Sequence, residues 1–149
     1  MIASLLSNRY VVVAARILLG LTFIVASIDK IAEPTLFAKA IANYKLISGW
    51  PILVAATVLP WVELLCGLSV LSGFYLRGSS LLLFTLLTAF TAAVITGLVR
   101  GLDISCGCFT LDPEVNKIGW QKILENIGLI VTSTILFYSR TRDFVLNVE

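Results

Sequence analysis

Residues Tyr10–Ile28 read YVVVAARILLGLTFIVASI. Arg16 is the only charged side chain in this run, which has the roughly 20 residues a helix needs to cross a hydrocarbon core about 30 Å thick. In lipid a helix satisfies its own backbone polar groups, which no solvent is present to do. The run is therefore read as a transmembrane helix over residues 10–28, ending at Asp29-Lys30. Arg9 ahead of it and Val25-Ala26-Ser27 near its end resemble parts of a secretory signal. The length of the run, Arg16 within it and the spans that follow favour a retained helix.

Outward from this run the pattern repeats. A second apolar stretch covers residues 51–74, with Pro51 suited to a first helical turn and Pro60 expected to kink the interior. Arg77-Gly78 is read as a tight turn before a third span at 79–99. A fourth covers 120–138, and a charged tail follows. Between the first two spans, Pro34 opens TLFAKAIANYKLI, in which Lys39, Asn43 and Lys45 are interspersed with Phe37, Ile41, Tyr44 and Leu46. This segment is too short and polar to span and reads as an interfacial amphipathic helix. Tyr10, Trp50, Trp61, Tyr75, Trp120 and Tyr138 mostly fall near the span ends, as aromatic belts do.

Composition agrees, with 58% apolar and 13% charged residues and a mean hydropathy of +0.98. Soluble domains average roughly 45–50% and about 25%. The expected fold is an all-α membrane protein, a single domain over 1–149 forming a four-transmembrane-helix bundle with one short interfacial helix. A net charge of +2 without a basic stripe points away from nucleic acid. The lipid bilayer is the expected surrounding.

Topology is contested within the sequence. Both termini and the Arg77 turn share one side, carrying Arg9, Arg77, Arg140 and Arg142. The other side carries Lys30, Lys39, Lys45, Arg100, Lys117 and Lys122, so the positive-inside rule mildly favours placing that side in the cytoplasm. The 100–119 loop on that side holds Cys106-Gly107-Cys108-Phe109, and persistent disulfides belong to oxidising compartments. The expected arrangement has cytoplasmic termini and an extracytoplasmic cysteine loop in a bacterial inner membrane.

The chain has three cysteines and no histidine. A disulfide between residues i and i+2 closes a small, strained ring, which Gly107 eases, and strained, exposed disulfides are the labile ones. Cys106 and Cys108 thus suit thiol–disulfide exchange; a static disulfide or two unpaired thiols are the alternatives. A zinc site normally takes four ligands, so no metal is expected. Arg100 and Lys117 would favour a thiolate, Asp103 and Asp112 oppose it. Cys66 lies about fifteen residues along the second span from Pro51, roughly 22 Å from the loop face, and reads as a small buried residue.

Glu63 is an acid in mid-span, a placement that usually means pairing or function. Arg16 sits at similar depth and is its expected ion-pair partner. A proton-handling or quinone-site role near Pro60 is the functional reading, with Asn126 in the fourth span as a further polar core residue.

Arg16, Leu19-Gly20, Asp29-Lys30 with Pro34 and Phe37, Tyr44, LPWVEL at 59–64 with Gly67, the CGCF at 106–109, and Trp120 with Asn126 occur in an order that resembles the DoxX-like membrane proteins. The cysteine pair is similar to the MauE branch, named for methylamine utilisation. The resemblance implies a four-helix inner-membrane protein tied to redox or sulfur metabolism, with MauE proteins supporting disulfide formation in a periplasmic dehydrogenase subunit. It also implies a likeness to the quinone-linked disulfide generators DsbB and vitamin K epoxide reductase. Those proteins use two cysteine pairs and this chain has one, so a quinone or a partner must complete the reaction.

The combined expectation is a thiol–disulfide oxidoreductase, or a subunit of one. Its catalytic residues would be Cys106 and Cys108, with Arg16, Glu63 and Asn126 as polar core or quinone site. Its partner would be an extracytoplasmic redox protein of thioredoxin-like, dehydrogenase or sulfurtransferase type. The rivals are a non-catalytic membrane anchor of a redox complex and, more remotely, a small-metabolite transporter.

Overall fold

The computed structural model describes residues 4, 8–107 and 118–139, in which five helices make up the architecture. Helix α1 (Arg9–Ala32) starts where the Asn8 side chain accepts the Tyr10 N–H at 3.0 Å. That bond satisfies one of the donors every helix start leaves unpaired. Pro34 and Pro51 stand in the first turns of α2 (Pro34–Asn43) and α3 (Trp50–Ser72), where a missing N–H costs nothing. Helix α3 is a single element through Pro60. Helices α4 (Leu76–Val99) and α5 (Trp120–Tyr138) follow.

Helices α1, α3 and α4 are long and apolar enough to cross a membrane. Helix α5 is shorter and carries Gln121, Lys122, Glu125 and Asn126 in its first two turns.

Two boundaries differ from expectation. Helix α1 continues past Asp29-Lys30 because Lys30 does not emerge into water there; it turns inward and is 1% exposed. The turn read at Arg77-Gly78 instead lies at Gly73–Tyr75. Gly73 has φ 82° and Tyr75 φ 49°, the left-handed geometry that ends one helix and reverses the chain. Gly78 sits inside α4, where the ring of Tyr75 covers it so closely that a Cβ would collide with it.

Helices α1 and α3 cross antiparallel at a pair of glycines. A Cβ on Gly20 would lie 3.0 Å from the Gly67 carbonyl oxygen, and one on Gly67 3.1 Å from the Gly20 carbonyl oxygen. Missing side chains let the two backbones approach, the device by which membrane helices gain packing without a hydrophobic driving force. Helices α4 and α5 also pair antiparallel, with the buried Ser133 hydroxyl donating to the Ser80 carbonyl at 2.6 Å. Contacts of α3 with α4 and of α1 with α5 close the ring, and α2 lies against α3 with Phe37 and Ala40 buried.

The core falls into two apolar clusters. One joins Val12, Leu19, Phe23, Cys66, Val70, Leu83, Leu87, Leu129 and Leu136; the other joins Tyr44, Val94, Cys106 and Ile123. Along α4 and α5 the step between clusters is occupied by Thr91 and Asn126, both buried. Tyr10, Tyr75 and Tyr138 mark one end of the bundle and Trp50 and Trp120 the other, all exposed, while Trp61 stands mid-helix.

Candidate functional site

The chain leaves α4 through a compact turn, in which Leu102 donates its N–H to the Gly97 carbonyl at 3.0 Å and Gly101 takes φ 68°. The Ile118 N–H bonds the Ile104 carbonyl at 3.0 Å, drawing the two ends of the loop together. Cys106 is disulfide-bonded and 2% exposed. Its carbonyl accepts the Tyr44 hydroxyl at 2.8 Å, and the Tyr44 carbonyl in turn accepts from Arg100 Nη1 at 3.1 Å. The Arg100 guanidinium, expected to favour a thiolate, is thus directed to the Tyr44 backbone. Burial pushes the Tyr44 phenol well above its ordinary pKa.

Gly107 has φ 65°, and a Cβ there would sit 2.9 Å from the Cβ of Ala40 on α2. The glycine therefore allows the loop to lie flat on α2, a packing role beyond the ring closure expected of it. Cys108, Asp112 and Lys117 lie outside the described residues, as do Arg140 and Arg142.

Beside Cys106 a cavity of about 260 Å³ opens between α2, α3 and α4. Its wall is apolar, formed by residues that include Phe37, Tyr44, Leu59, Leu86, Phe90 and Cys106, with Leu46 and Ile47, both exposed, among them.

The mid-span acid has a different partner from the expected one. Glu63 receives both its bonds from Lys30 Nζ, at 2.8 Å and 3.0 Å, with each side chain 1% exposed. Lys30 Nζ also lies 5.1 Å and 5.3 Å from the ring centres of Phe37 and Phe90. Helix geometry explains the choice. With Gly20 opposite Gly67, Lys30 lies beyond the level of Glu63. Each Cα–Cβ bond tilts toward its own N-terminus, so in this antiparallel pair Lys30 and Glu63 lean toward each other.

The same tilt carries Arg16 away from Glu63. Its Nε and Nη2 donate to the Val70 and Leu71 carbonyls, each at 3.1 Å. These belong to the last turn of α3, where carbonyls lack intrahelical donors and the helix dipole favours a cation. Arg16 is a C-terminal cap, and the expected Arg16–Glu63 pair is replaced by Lys30–Glu63.

Asn126 is 1% exposed, and neither its Oδ1 nor its Nδ2 has a hydrogen-bond partner among the described residues. Cys66 is a buried free thiol in the cluster that does not contain Cys106. Lys30 and Tyr44 were missed as site residues by sequence reasoning. Both stand among the residues that carry the family resemblance, and an antiparallel register drawn through Gly20 and Gly67 points to Lys30.

The family model of methylamine utilisation protein MauE matches residues 8–139. The chain is similar to MauE of Methylophilus methylotrophus, 28% identical over 127 residues that cover 85% of this chain and 67% of the relative. It is likewise 28% identical to MauE of Paracoccus denitrificans over 128 residues, 85% and 68% of the two chains. With MauE of Methylorubrum extorquens it shares 28% identity over 134 residues, 89% and 72%. No solved structure matches.

Proposed function

Because the chain belongs to the methylamine utilisation protein MauE family, we propose that it is a multi-pass membrane thiol–disulfide oxidoreductase serving methylamine utilisation, with Cys106 and Cys108 as its exchanging pair. The observation that carries this reading is the disulfide-bonded Cys106, held at the tip of the bundle by Tyr44 and Gly107. A redox sulfur must be positioned against its neighbours, and the loop is tied to α2 for that purpose.

In this reading α5 is the fourth span of a DoxX-like bundle. Trp120 and Tyr138 stand at its two ends and are exposed, as interface anchors are. Helix α2 lies at the membrane surface, its buried Phe37 and Ala40 turned to the bundle. The termini are cytoplasmic and the cysteine loop extracytoplasmic in a bacterial inner membrane. The partner is an extracytoplasmic dithiol protein, thioredoxin-like, a dehydrogenase subunit or a sulfurtransferase.

The buried state of Cys106 assigns the two sulfurs different work. A protein partner needs access, and at 2% exposure Cys106 does not offer it; the partner therefore attacks Cys108, and Cys106 is the leaving sulfur. In Cys106→Ser the lone Cys108 thiolate should attack the disulfide of the oxidised partner, displacing one partner sulfur as thiolate, and the mixed disulfide should accumulate because Cys106 is missing to resolve it; alkylation traps it for mass spectrometry. If neither single serine variant traps a partner and the double variant retains activity, catalysis is ruled out. The same burial is what favours the second reading, an assembly subunit with a static disulfide, and that result would establish it. A membrane-impermeant maleimide, applied after reduction to intact cells and to inverted vesicles, tests the orientation; labelling confined to the cytoplasmic face overturns it.

A further inference from the structure

We propose that the cavity between α2, α3 and α4 is the site where a membrane quinone reoxidises the Cys106–Cys108 pair, which rests on the thiol–disulfide reading above. Two features of one place carry the inference. First, Cys106 lines the cavity while being only 2% exposed, so the acceptor it meets must arrive through lipid rather than solvent. Second, the cavity is apolar and lined by the aromatic rings of Phe37 and Phe90, suited to a planar ring, and by Leu46 and Ile47, which are exposed, so that an apolar tail can pass into the bilayer beside them. Its volume of about 260 Å³ falls just under the roughly 300–1,000 Å³ of sites that enclose a whole small ligand. A ring whose tail stays outside fits that space.

The chemistry closes without a second cysteine pair. A partner dithiol reduces the disulfide: its first thiolate bonds to Cys108 and expels Cys106, its second displaces Cys108, and the partner leaves as a disulfide. Cys106 and Cys108 are then both thiols. On quinone binding, the S–S bond re-forms, and two electrons and two protons pass from the thiols to the two ring carbonyl oxygens. The quinone departs as hydroquinone. Cys66, in the other apolar cluster, is not required.

The test uses the full-length protein in lipid nanodiscs with a short-tailed azidobenzoquinone as photoprobe. Label is expected in the peptides carrying Phe37–Tyr44 and Leu86–Ala93, displaced by excess non-azido quinone and not by an isoprenoid alcohol of the same tail. Ala89 lines the cavity and faces outward, so Ala89→Phe fills it without entering the core. This variant should lower labelling and the rate at which added quinone reoxidises the pre-reduced pair by about ten-fold or more, the factor that 1.4 kcal/mol of lost binding gives. Val58→Phe, on an exposed position outside the cavity, should leave both within about two-fold, as surface changes usually do. Labelling elsewhere, equal displacement by the alcohol, or an unchanged rate in Ala89→Phe overturns the proposal; displacement by the alcohol would make the cavity a lipid site. The Cys106→Ser/Cys108→Ser variant separates the two readings. It has no thiols to exchange but keeps the cavity, so retained labelling supports the quinone site independently of the partner chemistry.

Discussion

Breaking the Lys30–Glu63 pair should destabilise the bundle more than removing it. The pair has two bonds of 2.8 Å and 3.0 Å and side chains 1% exposed, so either group left alone is a charge without water. Removing one partner of a buried pair costs about 3–5 kcal/mol, whereas replacing both by apolar groups is often neutral. In a membrane the unfolded helices also find partners, which lowers such values, so about 3 kcal/mol is expected for Lys30→Met. Glu63→Gln should cost less. Its amide oxygen still accepts from the ammonium, and the Phe37 and Phe90 faces retain a cation–π contribution of roughly 0.5–2 kcal/mol. The double variant Lys30→Met/Glu63→Met should come within about 1 kcal/mol of the parent and, with Glu63→Met as the second single variant of the cycle, give a coupling energy of about 2 kcal/mol or more. The assay is reversible unfolding in mixed micelles titrated with sodium dodecyl sulfate, followed by helical circular dichroism. A double variant whose loss equals the sum of the single losses would refute the reasoning, because it would mean that the two groups do not compensate each other.

Arg16→Met removes two charge-assisted bonds to the α3 terminus. It should cost about 2 kcal/mol in the same unfolding titration, and Arg16→Lys should recover only part because a single ammonium does not reproduce the guanidinium fork. Gly20→Val should lose about 1–3 kcal/mol through overpacking against Gly67 and Leu71. Gly128→Ala, where a Cβ meets nothing within 4 Å, should be neutral or stabilising by about 0.5–1 kcal/mol. Thermal melts from pH 8 to 11 test Tyr44. Its folded pKa is raised by burial above the unfolded value of about 10. The neutral phenol's contribution is therefore whole below about pH 10 and is lost as pH rises beyond it. Tyr44→Phe should lower stability by about 1 kcal/mol at pH 8 through the missing bond to Cys106 and flatten the decline above pH 10. A decline as steep as the parent's would assign it to other groups.

Local pattern carried far in this chain. The apolar runs placed α1, α3 and α4 to within a few residues, Pro34 and Pro51 marked helix starts, and the cysteine loop was correctly set between the last two helices. The misplaced turn shows where local reading ends. Arg77-Gly78 has turn chemistry, but Gly73 takes the left-handed position and Gly78 is small because the Tyr75 ring lies on it. A glycine in sequence does not reveal whether its backbone or its missing side chain is needed.

The sequence by itself determined that the chain is a helical membrane protein with a cysteine loop ahead of its last helix, because hydropathy and helix length are summed over many residues and survive local error. Tertiary structure alone decided which charges meet. Counted from the helix ends, Arg16 shares the depth of Glu63 and Lys30 stands near the end of its helix, and only the antiparallel register through Gly20 and Gly67, with side chains tilting toward each N-terminus, makes Lys30 the partner. The cavity beside Cys106 has the same origin. Its wall draws residues from three helices and a loop far apart in sequence, and no pattern within any one of them records the space they leave between them.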